Sequence, residues 1–164
     1  MSPRLLGLLV AVVVFAADQA SKLWILHGLV VSVGDVIPVT PFLNLVLVWN
    51  RGISYGLMQQ EADLGRWGLV VLTAAAVVLL SVWLSRTRGW LAASAVGLVL
   101  GGAAGNLVDR VVYGAVVDFV HLHAGDVSWY VFNIADAAIV AGVIGLLWDS
   151  FRPRPRSDAA KKPH

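Results

Sequence analysis

The chain has no cysteine and few charges, only 13% Asp, Glu, Lys and Arg. Without cysteine there is no disulfide framework, no thiolate nucleophile and no Cys-based metal site. A water-soluble domain carries about a quarter charged residues. Against 59% hydrophobic residues in 164, 13% charged leaves too little polar surface for water. The class expected is a polytopic membrane protein, all-α in its spanning part. No repeat at a fixed period is visible, and no H-E-x-x-H metal motif is present. His121 and His123 sit two apart and read as a solvated or interfacial pair rather than a metal site. The basic residues also do not suggest nucleic acid. Arg152, Arg154, Arg156, Lys161 and Lys162 crowd one tail beside an apolar run, the pattern of a topology signal facing anionic lipid.

Four apolar spans can be drawn, at about residues 5–31, 67–84, 90–112 and 129–148. Each is long enough to cross a hydrocarbon core about 30 Å thick as a helix. Trp67, Trp83, Trp90, Trp129 and Trp148 fall near the proposed ends, where indole rings favour the membrane interface. Arg4, Arg86, Arg88 and the tail 152–164 share one side of this arrangement and hold eight of the twelve basic residues. By the positive-inside rule that side is cytoplasmic, with both termini inside and segments 32–66 and 113–128 outside. The tail is Pro- and Lys/Arg-rich and reads as disordered. Arg4, the apolar run after it and Ala16-Ala17 mimic a secretory signal. The run resumes past Lys22 as Leu23-Trp24-Ile25-Leu26, so no cleavage is expected there.

In the first outer segment, Phe42–Trp49 is short and β-branched and predicts a strand, and Ser54–Gly65 suggests a short helix lying on the membrane. Val116–Val120 predicts a second strand, so a small sheet at the bilayer surface is expected.

The polar residues inside these spans carry the functional reading. Asp118 lies in Val116-Val117-Asp118-Phe119-Val120, and Asp136 in Phe132-Asn133-Ile134-Ala135-Asp136. A carboxylate at membrane depth costs about 2.5–3.5 kcal/mol on insertion scales and is rarely kept without a role. Two of them, at the outer ends of different apolar segments, suggest a pair sharing one proton and doing acid–base chemistry. Asp18 and Lys22 stand at i, i+4 on one helical face. They read equally as a neutralised ion pair or as the wall of a site. Asn106, Asp109 and Arg110 share another face, and Arg110 could pair with Asp109 or a lipid phosphate. Gly97, Gly101 and Gly105 before them read as helix-packing positions. Asn133 and Asp136 stand at i, i+3. Gly52-Ile53-Ser54-Tyr55-Gly56 matches the G-x-S-x-G nucleophile elbow, but without the α/β sheet that the elbow needs.

Taken in order, five blocks closely resemble the signal peptidase II (lipoprotein signal peptidase) family of bacterial membrane aspartic peptidases. They are Asp18-Gln19-Ala20-Ser21-Lys22, Asn50-Arg51-Gly52-Ile53-Ser54-Tyr55-Gly56, Gly101-Gly102-Ala103-Ala104-Gly105-Asn106-Leu107-Val108-Asp109-Arg110, Val116-Val117-Asp118-Phe119 and Phe132-Asn133-Ile134-Ala135-Asp136. The resemblance covers about residues 5–150. It implies four transmembrane helices with a small periplasmic β-sheet and a short interfacial helix. It implies Asp118 and Asp136 as the catalytic dyad, with Asp18, Lys22, Asn50, Arg51, Asn106, Asp109, Arg110 and Asn133 shaping the site or contacting substrate. The implied substrate is a diacylglyceryl-modified prolipoprotein cut just before its lipidated cysteine, in the bacterial inner membrane. The family needs no metal or cofactor and is blocked by globomycin. A proton- or ion-coupled carrier is the main rival, since buried Asp, Asn and Lys also build ion pathways. Another intramembrane aspartic protease lacks support, because no G-x-G-D occurs. A non-enzymatic assembly factor would have no use for Asp118 and Asp136.

Overall fold

The computed structural model describes residues 1–29, 32–52, 62–125 and 127–152. Helix α1 covers Pro3–Leu23 and runs straight into a π-helical turn, Trp24–Gly28. Ser2 caps it, its hydroxyl accepting from Leu5 N at 3.3 Å, with proline next in the first turn where its missing N–H is not needed. Helices α2, Ala62–Arg86, α3, Trp90–Val112, and α4, Ile134–Phe151, follow. All four are long and apolar enough to cross a membrane. Large side chains such as Val13, Val71 and Leu79 stand exposed on them. That surface is unfavourable in water and natural against lipid tails.

Between the helices lie strands β1, Val36–Thr40, β2, Leu43–Asn50, β3, Val116–Ala124, and β4, Val127–Phe132. They form one antiparallel sheet in the order β1-β2-β3-β4. Val48 stands opposite Asp118, and Val120 opposite Phe132. The ends of α1 and α3 and the starts of α2 and α4 all meet the sheet side of the bundle, because successive helices alternate in direction.

Three boundaries differ from the sequence expectation. The fourth span was expected from Trp129, but Val127–Phe132 is β4 and the helix starts at Ile134. The β-branched and aromatic run pairs with β3, and Asn133 caps the helix behind it. The second span was expected from Trp67, yet α2 already begins at Ala62. Ala62–Gly65, expected in a surface helix, thus belong to α2, and the rest of that expected helix, 54–61, lies outside the described residues. The first span leaves α-helical geometry at Trp24.

Two apolar clusters hold the parts together. Ala11, Leu84, Ala93, Val96 and Leu100 pack where α1, α2 and α3 meet. Ile25, Leu47, Val117 and Phe119 join the π turn to β2 and β3. Helices α1 and α3 approach so closely that a Cβ at Gly97 would strike the Gly7 carbonyl, and one at Gly101 the Ala11 carbonyl. Small residues thus fit the helices together, as expected for packing without a hydrophobic drive in lipid.

Candidate active site

Lys22 is the hub of the polar end of the bundle. It is 2% exposed, and its Nζ lies 2.7 Å from Asp18 Oδ2 and 2.8 Å from Asp109 Oδ2. It also donates to Asn106 Oδ1 at 3.1 Å. A buried ammonium is tolerated only when its charge and its three donors are met. Two carboxylates and one amide oxygen meet them here. Asp109 therefore pairs with Lys22 rather than with Arg110, the alternative that sequence spacing allowed. Arg110 turns back along α3, donating to the Asn106 carbonyl at 3.2 Å.

The same network reaches both candidate catalytic carboxylates through asparagines. Asn133 caps α4, its Oδ1 accepting from Asp136 N at 2.9 Å, while Asp136 Oδ2 accepts from Asn133 N at 3.4 Å to complete a capping box. This fixes the amide so that Nδ2 faces inward, donating to Asp118 Oδ1 at 2.6 Å, to Asn106 Oδ1 at 3.2 Å and to the Val117 carbonyl at 3.3 Å. Lys22 fixes Asn106 in the same way, and Asn106 Nδ2 donates to Asp136 Oδ1 at 2.8 Å. Asn50 ends β2, its Oδ1 accepting from Gly52 N at 3.0 Å, so its Nδ2 donates to Asp118 Oδ2 at 3.0 Å. Three amides, each keyed by a donor at its oxygen, thus present N–H groups to the two carboxylates.

Asp118 sits on a strand, 2% exposed. Burial pushes its carboxyl up to about 6, and the negative charge of Asp136 adds to the rise. The amide donors of Asn50 and Asn133 and the charge of Lys22 oppose it. A carboxyl placed so is partly protonated near neutrality and can give or take a proton.

Of the residues singled out from sequence, Asp18, Lys22, Asn50, Asn106, Asp109, Asn133, Asp118 and Asp136 come together in this one network. Arg110 adjoins it through the Asn106 carbonyl. Arg51 does not join it and instead lines a cavity of about 660 Å³ with Asp35, Trp49 and His121. His121 bonds Ser128 Oγ at 2.6 Å and stacks on His123, and no group of three metal-binding side chains occurs among the described residues. Sequence reasoning missed Gln19, whose Nε2 lies within 3.3 Å of Asp18 Oδ2, Asp109 Oδ1 and the Gly105 carbonyl. The available signal was a second polar residue beside Asp18 inside an apolar span. Gly105 is required for this fit, since a Cβ there would collide with the Asp18 carboxylate.

All of these groups lie at the sheet end of the bundle rather than strung across it, which suits surface chemistry better than an ion path. Comparison with known proteins agrees. Residues 10–152 match the family model described as signal peptidase (SPase) II. The lipoprotein signal peptidase of Methylorubrum extorquens (strain PA1) is 58% identical over 151 residues, 92% of this chain and 88% of that protein. That of Methylobacterium radiotolerans is 53% identical, covering 98% of this chain and 94% of that one. A bacterial membrane enzyme solved by the in meso method at 2.3 Å superposes with a TM-score of 0.75 at 29% identity, over 92% of each chain. A second, solved at 1.9 Å, gives 0.76 at 27% identity, over 90% of this chain and 94% of that one. With the family model spanning nearly all of its folded part, the chain belongs to the signal peptidase II family and is a membrane-embedded protease.

Proposed function

We propose that this protein removes the signal peptide from diacylglyceryl-modified prolipoproteins, cutting just before the lipidated cysteine, with Asp118 and Asp136 as the catalytic pair. The observation that carries the reading is the convergence of Asn133 on both carboxylates: its Nδ2 donates to Asp118 Oδ1 at 2.6 Å and its backbone N–H to Asp136 Oδ2 at 3.4 Å. Two acids from different elements, gathered in an otherwise apolar chain, suit a pair that holds one proton between them. The ionised member takes a proton from water as the water oxygen adds to the scissile carbonyl carbon. The protonated member gives its proton to the carbonyl oxygen. Collapse of the resulting diol breaks the C–N bond: one hydroxyl returns its proton to the ionised member, the leaving amine takes up the proton held by the other, and the dyad is left with its one proton.

The substrate enters from lipid, bringing an apolar helix and two acyl chains, so a site at one end of a slender bundle matches where its cleavage bond would lie. The charge distribution favours both termini in the cytoplasm and the sheet on the periplasmic side of a bacterial inner membrane. The remaining site residues, Arg51 and Arg110 included, would contact substrate or support the pair. Globomycin-type inhibitors would compete for this site.

The test is cleavage of a precursor with and without its diacylglyceryl group by purified enzyme. Asp118→Asn and Asp136→Asn should each abolish turnover of the lipidated precursor with the fold intact, and the unlipidated one should resist cleavage. Turnover retained by either variant would remove that residue from the chemistry.

A further inference from the structure

The peptide units just ahead of the two candidate catalytic residues are held in the same way. Asp109 Oδ2 accepts from the backbone N–H of Val117, the residue before Asp118, at 3.1 Å. Asp18 Oδ1 accepts from the backbone N–H of Ala135, the residue before Asp136, at 2.9 Å. The two gripping carboxylates lie on different helices, and both are clamped to the one ammonium of Lys22, at 2.7 and 2.8 Å. Gln19 Nε2 reaches across the same two acids, at 3.2 Å from Asp18 Oδ2 and 3.1 Å from Asp109 Oδ1. Asp18 and Asp109 are each fully buried.

We infer that Asp18, Lys22 and Asp109 act as a caliper that sets the distance between the Asp118 and Asp136 carboxyls, and that none of the three touches substrate. The inference rests on the dyad reading above. One jaw is Asp109 on the β3 backbone, the other is Asp18 on the first turn of α4, and Lys22 is the pivot. Asn133 already ties β3 to the start of α4, and the jaws act beside it, each holding its own segment by the amide adjoining the acid. A fully buried ion triad adds little net stability over apolar packing but fixes geometry. Fixed geometry matters here, because misplacing a reacting group by about 1 Å can cost about 100-fold in rate. The separation of the two dyad ionisations also depends on how closely the carboxyls are held.

Among the described residues, the charged groups around the dyad are Asp18 and Lys22 from α1 and Asp109 and Arg110 from α3. Of these, Arg110 is held by the Asn106 carbonyl and belongs to neither jaw.

The experiment measures kcat, KM and the pH profile of kcat for the full-length enzyme in lipid, on a lipidated precursor peptide. Asp109 and Asp18 are each changed to Asn and to Ala. Asn keeps one oxygen for the backbone amide but loses the second, so its jaw is weakened; Ala removes the jaw. The caliper predicts kcat falling in the order Asp, Asn, Ala, by about 100-fold for Ala, with KM within about twofold. The two ionisations of the kcat profile should draw together in the same order. A rise in KM at constant kcat would mean substrate contact and overturn the inference. So would a fall in kcat with the two ionisations unmoved. If an Ala variant does not fold, the comparison of Asp with Asn at that position decides by the same criteria. Failure of the dyad reading looks different: the parent enzyme itself would show no pair of ionisations, and Asp118→Asn would remain active.

Discussion

The Asn133 side chain donates to Asp118 Oδ1 at 2.6 Å while its carbonyl oxygen caps α4 on Asp136 N at 2.9 Å. One residue thus ties the strand carrying one acid to the helix carrying the other. The two jobs can be separated. Serine caps a helix about as well as asparagine, but it is too short to reach Asp118 and has no amide to donate. Asn133→Ser should keep the thermal stability within about 1 kcal/mol of the parent and lose most of the turnover. Asn133→Ala should lose both, with a further cost of about 1 kcal/mol for the missing cap. Thermal unfolding and precursor cleavage, measured on the same preparations, distinguish these outcomes. Equal loss of stability in the two variants would show that the cap is not held by this side chain.

Asp118 carries a pH dependence with a definite sign. Burial lifts its carboxyl to about 6, and the Asn50 amide works against that rise. By itself a raised carboxyl supports the folded state most fully below the ordinary carboxylate range and withdraws that support as pH climbs through about 6. On the proposed mechanism the Asp118–Asp136 pair needs its one proton, so kcat/KM should decline on the alkaline side as that proton is lost. Removing the opposing donor raises the Asp118 carboxyl further. Asn50→Leu should therefore shift the alkaline limb of kcat/KM to higher pH while lowering the maximum. A shift to lower pH would show that the amide does not stabilise the Asp118 carboxylate.

Much of this was legible in the sequence, for reasons tied to particular residues. Asp18 and Lys22 announced themselves because apolar helices expose any charge that interrupts them, and the i, i+4 spacing gave the pair seen in the structure. The strand around Leu43–Asn50 was visible from its β-branched run. What sequence could not show was which acid Lys22 would choose beyond its own helix. Asp109 is 87 positions away, and its pairing with Lys22 instead of its neighbour Arg110 depends on how α1 and α3 pack. β4 was hidden for a different reason. Val127–Phe132 is as apolar as the helix behind it, so hydropathy merged the two, and only Asn133 as a helix cap marks the boundary. Gln19 was passed over because an uncharged amide beside an aspartate carries little signal of its own.

The close crossing of α1 and α3 makes Gly97 intolerant of even one methyl group, since a Cβ there would meet the Gly7 backbone, which cannot move aside cheaply. Gly97→Ala should destabilise the protein by about 1–3 kcal/mol, the usual cost of overpacking. Gly68 in α2 has nothing within 4 Å of its would-be Cβ. Gly68→Ala should be neutral or stabilising by up to about 1 kcal/mol, because alanine is the better helix former. The measurement is thermal unfolding of both variants in the same detergent. If Gly97→Ala unfolded with the parent, the helices would have to sit farther apart than described.

The proposed orientation of the bundle rests on charge rather than on contacts. Four spans would put the chain's two ends on one side, and the sequence concentrates its basic residues in the segments that would share that side: Arg4, Arg86, Arg88 and the tail. Lys and Arg within about 15–20 residues of a span are retained in the cytoplasm, which would set the sheet and the Asp118 and Asp136 carboxyls facing the periplasm. A reporter fused behind His164 that is active only in the cytoplasm should report activity, and one active only outside should stay silent. Replacing Arg86 and Arg88 with glutamine should weaken this bias without reversing it, because Arg4 and the tail still vote for the same side. A fusion active outside the cell would turn the bundle over and place the acid pair on the cytoplasmic face, where no exported precursor would present its cleavage bond.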